Sequence, residues 1–247
     1  MGAVDAVTFD YWNTLMLAEY ARQGETRLTV MLRTLARHGL QADPDRIQAS
    51  LREAARQFDA HWRRNEVYRA SDAIDQVLRD QDLRVPAGVH SELTAIITDP
   101  DPEHDPEPTP NIGEALETLK SAGVRIGIIC DVGLAPSTTL RRILAGHGLL
   151  GYFDHWSFSD DVGTFKPDPV IFEHALSGLG GIDPSRAAHV GDLRRTDVAG
   201  ANALGITSVR YTGAFDDPGR PEDGSDAVEA RHVVADHADL PAALGVD

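Results

Sequence analysis

The chain has a single cysteine, Cys130, among its 247 residues. One thiol excludes an intrachain disulfide, so nothing in the sequence indicates an oxidising compartment. Apolar runs are a few residues long, far below the roughly 20 residues that a membrane-spanning helix needs. The first residues include the acid Asp5 and no basic stretch, so we expect no secretory signal and a cytoplasmic protein.

Positive charge is scarce as well. The 23 Lys and Arg residues stand against 39 Asp and Glu residues, which gives a formal net charge of −16. A surplus of this sign repels nucleic-acid phosphates and anionic lipid, so we expect neither nucleic acid nor a membrane as a partner. It does not oppose a small anionic molecule in a local pocket. Both a monomer and a homodimer stay open.

Residues 15–98 have the spacing of helices. Leu28, Met31, Leu32 and Leu35 recur every three or four positions, which predicts one amphipathic helix. Asp43-Pro44 supplies an N-cap and a first-turn proline for a second helix. Two further helices are predicted to start near residues 71 and 86. This segment therefore predicts a small all-helical block.

From Thr109 onward the pattern alternates between helices and strands. Thr109-Pro110 is predicted to cap a helix that ends at Gly123. Short strands are predicted at residues 124–129, 153–158, 187–190, 206–210 and 232–235, with another in residues 1–10. Strands that alternate with helices indicate a parallel sheet covered on both faces. The simplest topology is one α/β core with the helical block inserted after its first strand.

Reactive side chains follow several of the predicted strands. Asp10, Cys130-Asp131 and Asp192 come at strand ends, and Lys166 lies in the loop after the strand at 153–158. Ligands of such sheets bind beyond the carboxyl ends of the strands. Carboxylates that converge raise each other's pKa unless a cation lies between them. The pattern predicts an acidic site of the Mg²⁺ type that contains a lysine and faces an anionic substrate.

Four segments together resemble one known family. They are FDYWNTL around Asp10, IICD ending at Asp131, FKPDP around Lys166, and GDLRRTD from Gly191 to Asp197. Because these four segments occur in this order, the chain resembles the haloacid dehalogenase-like hydrolase superfamily over nearly its whole length. The resemblance implies a Rossmann-like α/β core at residues 1–14 and 107–247. It also implies that residues 15–106 form a helical cap, inserted just after the first motif.

The resemblance implies a role for each motif residue. Asp10 is the nucleophile that forms a covalent aspartyl intermediate, and Lys166 keeps it ionised and neutralises charge on the transferred group. Asp10, Asp192 and the backbone carbonyl of Trp12 hold Mg²⁺, and Asp197 orients a water bound to the metal. The positions implied to contact the phosphate or the substrate are Trp12, Thr14, Cys130 and Asp131.

Two positions depart from the family's phosphatase pattern. Trp12 stands where these phosphatases carry a second aspartate, which protonates the leaving group and later activates water. Cys130 stands where they carry Ser or Thr. We therefore expect a Mg²⁺-dependent, phosphatase-like hydrolase of a small phosphorylated metabolite with an unusual or activated leaving group.

Two alternatives stay open at this point. One is a catalytically weak or non-enzymatic binding or regulatory protein, since Trp12 and Cys130 remove two groups that phosphatases use. The other is a metal-independent 2-haloacid dehalogenase. Family dehalogenases have an aromatic tyrosine at the place of Trp12, although they lack the Gly-Asp pair found here at Gly191-Asp192.

Overall fold

One parallel β-sheet organises the part of the chain that carries the motifs. The computed structural model describes residues 4–18 and 20–246, and only the backbone of residues 20–25. The strands are β1 (Ala6–Phe9), β2 (Arg125–Cys130), β3 (His155–Phe158), β4 (Ala187–Gly191), β5 (Thr207–Tyr211) and β6 (His232–Val234). They are arranged in the order β3-β2-β1-β4-β5-β6, and each neighbouring pair is parallel. The predicted Rossmann-like α/β fold is confirmed.

Helices precede and follow the strands along the chain. They are α1 (Tyr20–Arg37), α2 (Pro44–Trp62), α3 (Ala70–Asp80), α4 (Ala87–Thr98), α5 (Ile112–Ser121), α6 (Ser137–Gly146), α7 (Ser159–Val162), α8 (Pro169–Gly178), α9 (Ala199–Leu204) and α10 (Leu240–Ala243). Among the described helices, none combines the length and the apolar character that crossing a membrane requires.

The chain divides into two compact units. One consists of Met1–Ala18, Pro106–Asp131 and Leu144–Asp247, and the other of Glu19–Asp105 and Val132–Ile143. The second unit contains α1 to α4 together with the first part of α6, which the sequence assigned to the core. The domain limits at residues 14 and 107, and the cap they define, stay a prediction.

The helical unit has its own hydrophobic core. Met31 and Leu35 of α1, Ile47 of α2 and Ile74 of α3 are at most 1% exposed and pack in one cluster. The core follows from the apolar positions at helical spacing, which place these side chains on one face of each helix. Helix α2 begins as predicted, because the Asp43 side chain accepts hydrogen bonds from the N–H groups of the first turn.

One predicted helix start was wrong. Helix α5 begins at Ile112 after Asn111, which has a left-handed conformation with φ 61°, rather than at Thr109-Pro110. Thr109 instead donates its hydroxyl to the carbonyl oxygen of Thr14, at 2.6 Å. The Thr109 side chain, which the local pattern predicted to cap the helix, thus bonds to a distant segment of the chain instead.

The strand order places the first and fourth motifs side by side. Strand β1 pairs with β2 on one side and with β4 on the other, so the chain reverses its direction of winding between β1 and β4. In open parallel sheets, ligands bind beyond the strand ends at such a reversal. Asp10 follows β1 and Asp192 follows β4, so both lie at this position.

Candidate active site

The Lys166 ammonium group lies between two carboxylates. Its Nζ donates to Asp10 Oδ1 at 2.5 Å and to Asp197 Oδ1 at 2.6 Å. Lys166 is 2% exposed and lies in the turn between α7 and α8. Burial alone would lower the pKa of Lys166, but Asp10 and Asp197 raise it well above its usual value. Lys166 is therefore a buried, permanent cation in contact with the predicted nucleophile.

A third carboxylate lies next to these two. One oxygen from each of Asp10, Asp192 and Asp197 can be chosen so that all three lie within 4.8 Å of one another. All three residues are buried. Burial raises the pKa of Asp10 to about 7, and burial with the charges of Asp10 and Asp197 raises the pKa of Asp192 well above its ordinary range. Three carboxylates thus face one ammonium group.

The chemistry of this donor set fits a hard divalent cation. Carboxylate oxygens are the ligands that Mg²⁺ prefers. When all three carboxyls are ionised, Lys166 balances one of their charges, and a divalent cation would balance the other two and so favour their ionised forms. Asp10 and Asp192 could hold such a cation, because Asp197 already accepts hydrogen bonds from Lys166, His189 and the Leu193 N–H.

Asp197 is already occupied by hydrogen-bond donors. Its Oδ1 accepts from Lys166 and from His189 Nε2 at 3.1 Å, and its Oδ2 accepts from the Leu193 N–H at 3.0 Å. The π-helical turn Arg194–Val198 aims the side chain back at these donors. Burial would raise the pKa of Asp197, but Lys166 and His189 hold it below its usual range. Asp197 therefore acts on its neighbours as a fixed anion.

The Asp192 side chain accepts fewer hydrogen bonds than that of Asp197. Among the described residues, the hydrogen bond that it accepts is a long one, 3.4 Å from Asn13 Nδ2. Asn13 has a left-handed backbone with φ 54°, which asparagine tolerates better than most residues. Its Oδ1 accepts from the Ala18 N–H at 3.2 Å and closes the loop after Asp10. The oxygens of Asp192 therefore remain available for a cation.

The predicted substrate positions have different environments. Trp12 is half-buried, and its ring contacts Tyr11 edge-on at 4.9 Å between centroids. Thr14 is fully buried, and within residues 4–18 and 20–246 its hydroxyl has no hydrogen-bond partner. The free hydroxyl of Thr14 lies four residues after Asp10, in the loop that begins at Asp10. Its availability is consistent with the predicted contact to a phosphoryl oxygen, which stays a prediction.

Cys130 and Asp131 end strand β2. Cys130 is fully buried, and burial raises the pKa of its thiol well above its usual value, so it is neutral and unreactive. Asp131 Oδ1 accepts the backbone N–H of Lys166 at 3.0 Å. This bond ties the loop of the second motif to the lysine of the third.

Two residues of the site lie outside the predicted set. His189 contacts Asp197, and Asn13 contacts Asp192. Asn13 could have been found from its place in the WNT turn, where asparagine favours a left-handed backbone. His189 lies inside a buried strand, where alternation of side chains does not show which neighbour a ring nitrogen will meet.

Comparison with known proteins relates the geometry to a family. A family model described as haloacid dehalogenase-like hydrolase matches residues 4–205. A curated relative, the glyceraldehyde 3-phosphate phosphatase of Pyrococcus abyssi, is 28% identical over 84% of this chain and 81% of its own. The crystal structure of a HAD phosphatase from Thermococcus onnurineus aligns with a TM-score of 0.67, 25% identity, and coverage of 98% of this chain and 99% of that one.

A dehalogenase shares the fold. The 2-haloacid dehalogenase of Pseudomonas syringae pv. Tomato DC3000 aligns with a TM-score of 0.69 over 98% of both chains, but at 23% identity. That likeness concerns the fold alone, whereas the phosphatases extend the similarity to the sequence. The phosphatase type of hydrolase is therefore favoured over the dehalogenase type. With its motif residues gathered at one edge of a parallel sheet, the chain belongs to the haloacid dehalogenase-like hydrolase family.

Proposed function

We propose that the protein is a Mg²⁺-dependent hydrolase that removes a phosphoryl group from a small phosphorylated metabolite through Asp10. The observation that carries the proposal is the Lys166 ammonium between Asp10 and Asp197, with Asp192 beside them. In this arrangement Lys166 opposes the rise in the pKa of Asp10 that burial causes, and its positive charge lies where a phosphoryl group would meet Asp10. Similarity to a phosphatase of glyceraldehyde 3-phosphate supports a small phosphorylated substrate.

The proposed reaction has two steps at Asp10. Its carboxylate attacks phosphorus, a bond to an Asp10 oxygen forms, and the bond to the leaving group breaks. Water then attacks the phosphorus of the aspartyl phosphate, which releases inorganic phosphate and restores the carboxylate. Lys166 neutralises charge on the transferred group in both steps.

The cation would be held by the oxygens that the protein leaves available. We assign it to Asp10, Asp192 and the backbone carbonyl of Trp12, with Asp197 acting through Lys166 and the surrounding water. Bound there, Mg²⁺ supplies Lewis-acid stabilisation of the negative charge on the phosphoryl oxygens.

Trp12 restricts the leaving group. The indole of tryptophan has no proton that it can transfer to a departing oxygen. General acid catalysis typically contributes about 10²–10⁴-fold in rate, so an alkyl ester would react slowly in its absence. We therefore propose substrates whose leaving group needs little protonation, such as an acyl phosphate.

A substrate panel tests the proposed function. Acetyl phosphate, glyceraldehyde 3-phosphate, a phosphonate and 2-chloropropionate are each incubated with Mg²⁺ or with EDTA. We expect Mg²⁺-dependent phosphate release that falls to background in Asp10→Asn, while the melting temperature shows that this variant is folded. Absence of phosphate release from every phosphorylated compound would contradict the proposal. Halide release that persists in EDTA would identify a dehalogenase instead.

Substitution of Trp12 tests the leaving-group proposal. In single-turnover measurements of leaving-group release, which report the first step alone, Trp12→Asp should raise the rate with an alkyl phosphate by at least about tenfold and change the rate with acetyl phosphate by less than about threefold. Trp12→Asn is the matched control, because it has the same size as aspartate but no titratable proton. Equal gains in both variants would mean that the indole blocks space, and the leaving-group argument would fail.

A further inference from the structure

His189 is a buried residue of β4 with a partner at each ring nitrogen. It is 1% exposed. Its Nδ1 lies 2.9 Å from the Thr8 hydroxyl of β1, and its Nε2 lies 3.1 Å from Asp197 Oδ1. Phe172 packs against the imidazole edge-on, with 5.2 Å between ring centroids. These contacts fix the ring in the layer directly behind the carboxylates.

The partners determine which nitrogen carries the proton. Asp197 is held ionised by Lys166, and an ionised carboxylate only accepts hydrogen bonds, so His189 Nε2 must be the donor. Its Nδ1 is then an acceptor, and the Thr8 hydroxyl donates to it. The alternative acceptor for that hydroxyl, the Ala188 carbonyl, is more distant, at 3.3 Å.

His189 and Lys166 donate to the same oxygen atom. Asp197 Oδ1 accepts from both, and Lys166 continues from there to Asp10. The His189 imidazole therefore fixes the position of Asp197 Oδ1. That oxygen in turn positions the Lys166 ammonium group, which contacts Asp10. Without that donor, Lys166 is the remaining partner of Asp197 Oδ1 among the described residues, while Oδ2 stays bonded to the Leu193 N–H. Oδ1 and the ammonium group bound to it are then free to shift together.

We propose that His189 is a positioning residue that, through Asp197 and Lys166, holds Asp10 in the arrangement that binds Mg²⁺ and attacks phosphorus. The inference rests on the proposed function for the identity of the cation and of the reaction. Residues that hydrogen-bond a metal ligand typically change metal affinity or activity by about 10–100-fold when substituted; His189 reaches Asp10 only through Asp197 and Lys166, so we expect an effect at the lower end of that range.

Two amide variants of His189 separate positioning from packing. Glutamine places an amide N–H near the position of Nε2 and retains the donor to Asp197, whereas asparagine reaches only as far as Nδ1. Both are neutral and polar, and both leave unfilled space beside Phe172. A purely structural role for His189 predicts similar losses of stability, and equal Mg²⁺ affinity, in the two variants.

The measurement is the Mg²⁺ dissociation constant by calorimetry on the full chain, together with kcat and KM. We expect His189→Asn to raise the Mg²⁺ Kd by at least about tenfold and to lower kcat more than it changes KM. We expect His189→Gln to change the Mg²⁺ Kd and kcat by less than about threefold each. Equal Kd and kcat in the two variants would overturn the inference. Absence of Mg²⁺ binding and turnover in the unsubstituted protein would instead overturn the proposed function.

A second measurement needs no substitution. Nitrogen-15 spectra of the unsubstituted protein report which ring nitrogen of His189 carries hydrogen. We expect the proton on Nε2 in the metal-free protein. A neutral ring with its proton on Nδ1 could not donate to Asp197, and that result would also overturn the inference.

Discussion

Substitution of Lys166 by methionine removes the ammonium that Asp10 and Asp197 share and leaves both carboxylates buried. Lys120 provides a matched comparison in the same compact unit, because its Nζ lies 2.5 Å from Asp154 Oδ1, the same distance as between Lys166 and Asp10. The two pairs differ in exposure. The Lys166 side chain is 2% exposed, and that of Lys120 is 37% exposed.

The difference in exposure determines how much stability each substitution should remove. At 2.5 Å, two unit charges attract by about 2 kcal/mol in water and by about 7 kcal/mol at the effective dielectric constant of a protein site, about 20. Removal of one partner of a buried pair typically costs about 3–5 kcal/mol, because an uncompensated charge remains inside. For an exposed pair the effect is about 0–1 kcal/mol. We therefore expect Lys166→Met to lower the free energy of unfolding by about 3–5 kcal/mol and Lys120→Met to lower it by less than about 1 kcal/mol.

Thermal unfolding in EDTA at neutral pH measures both variants. The expected loss corresponds to a fall in melting temperature of roughly 6–20 °C for Lys166→Met and of a few degrees at most for Lys120→Met. In the unsubstituted protein, Lys166 holds the pKa of Asp197 below its usual range. That stabilisation is present above the ordinary aspartate pKa of 3.8 and is lost as the pH falls below it, so the stability deficit of Lys166→Met should persist down to about pH 4 and narrow only below it. Equal melting temperatures for the two variants at neutral pH would refute the reasoning.

Two further predictions concern the frame around the site. A Cβ on Gly191 would lie 2.3 Å from Asp197 Cγ, so Gly191→Ala should displace that carboxylate. Calorimetry should then show weaker Mg²⁺ binding. Gly146→Ala is the control, because no atom lies within 4 Å of its added carbon. His237 is a buried residue whose Nε2 lies 2.8 Å from the carbonyl oxygen of Thr14, and burial lowers its pKa from 6.5 to about 4. The folded state then resists protonation, so the free energy of unfolding should fall by up to about 3 kcal/mol from pH 6.5 to pH 4. His237→Phe should flatten this pH dependence in urea titrations, and an unchanged slope would contradict the assignment to His237.

Local sequence was sufficient for the elements and for the strand-end residues. Apolar spacing predicted the four helices α1 to α4. The positions of Asp10, Cys130 and Asp192 at strand ends follow from short apolar runs that precede a polar residue. These features depend on neighbours a few residues apart. The start of α5 was misjudged because the partner of Thr109 is Thr14, which lies 95 residues away.

Contacts between distant segments required the folded chain. Lys166 is 156 residues from Asp10 in sequence, and His189 is 181 residues from Thr8. Which residues of those segments meet depends on the strand order and on register. Strands β1 and β4 are buried along their whole length, so they lack the apolar–polar alternation that would specify a register. The same holds for Asp197, whose place opposite Lys166 depends on a π-helical turn that no local pattern predicted.

The sequence by itself thus determined a parallel α/β sheet, its helical insertion in the chain, and the acids and lysine available for chemistry, because periodicity and turn residues act over short distances. Only the tertiary structure decided that Lys166 bridges Asp10 and Asp197, that Asp197 is saturated by donors while Asp192 is not, and that His189 lies behind them. Those relations arise from the winding reversal between β1 and β4, where side chains far apart in sequence are buried together and must satisfy one another's charge.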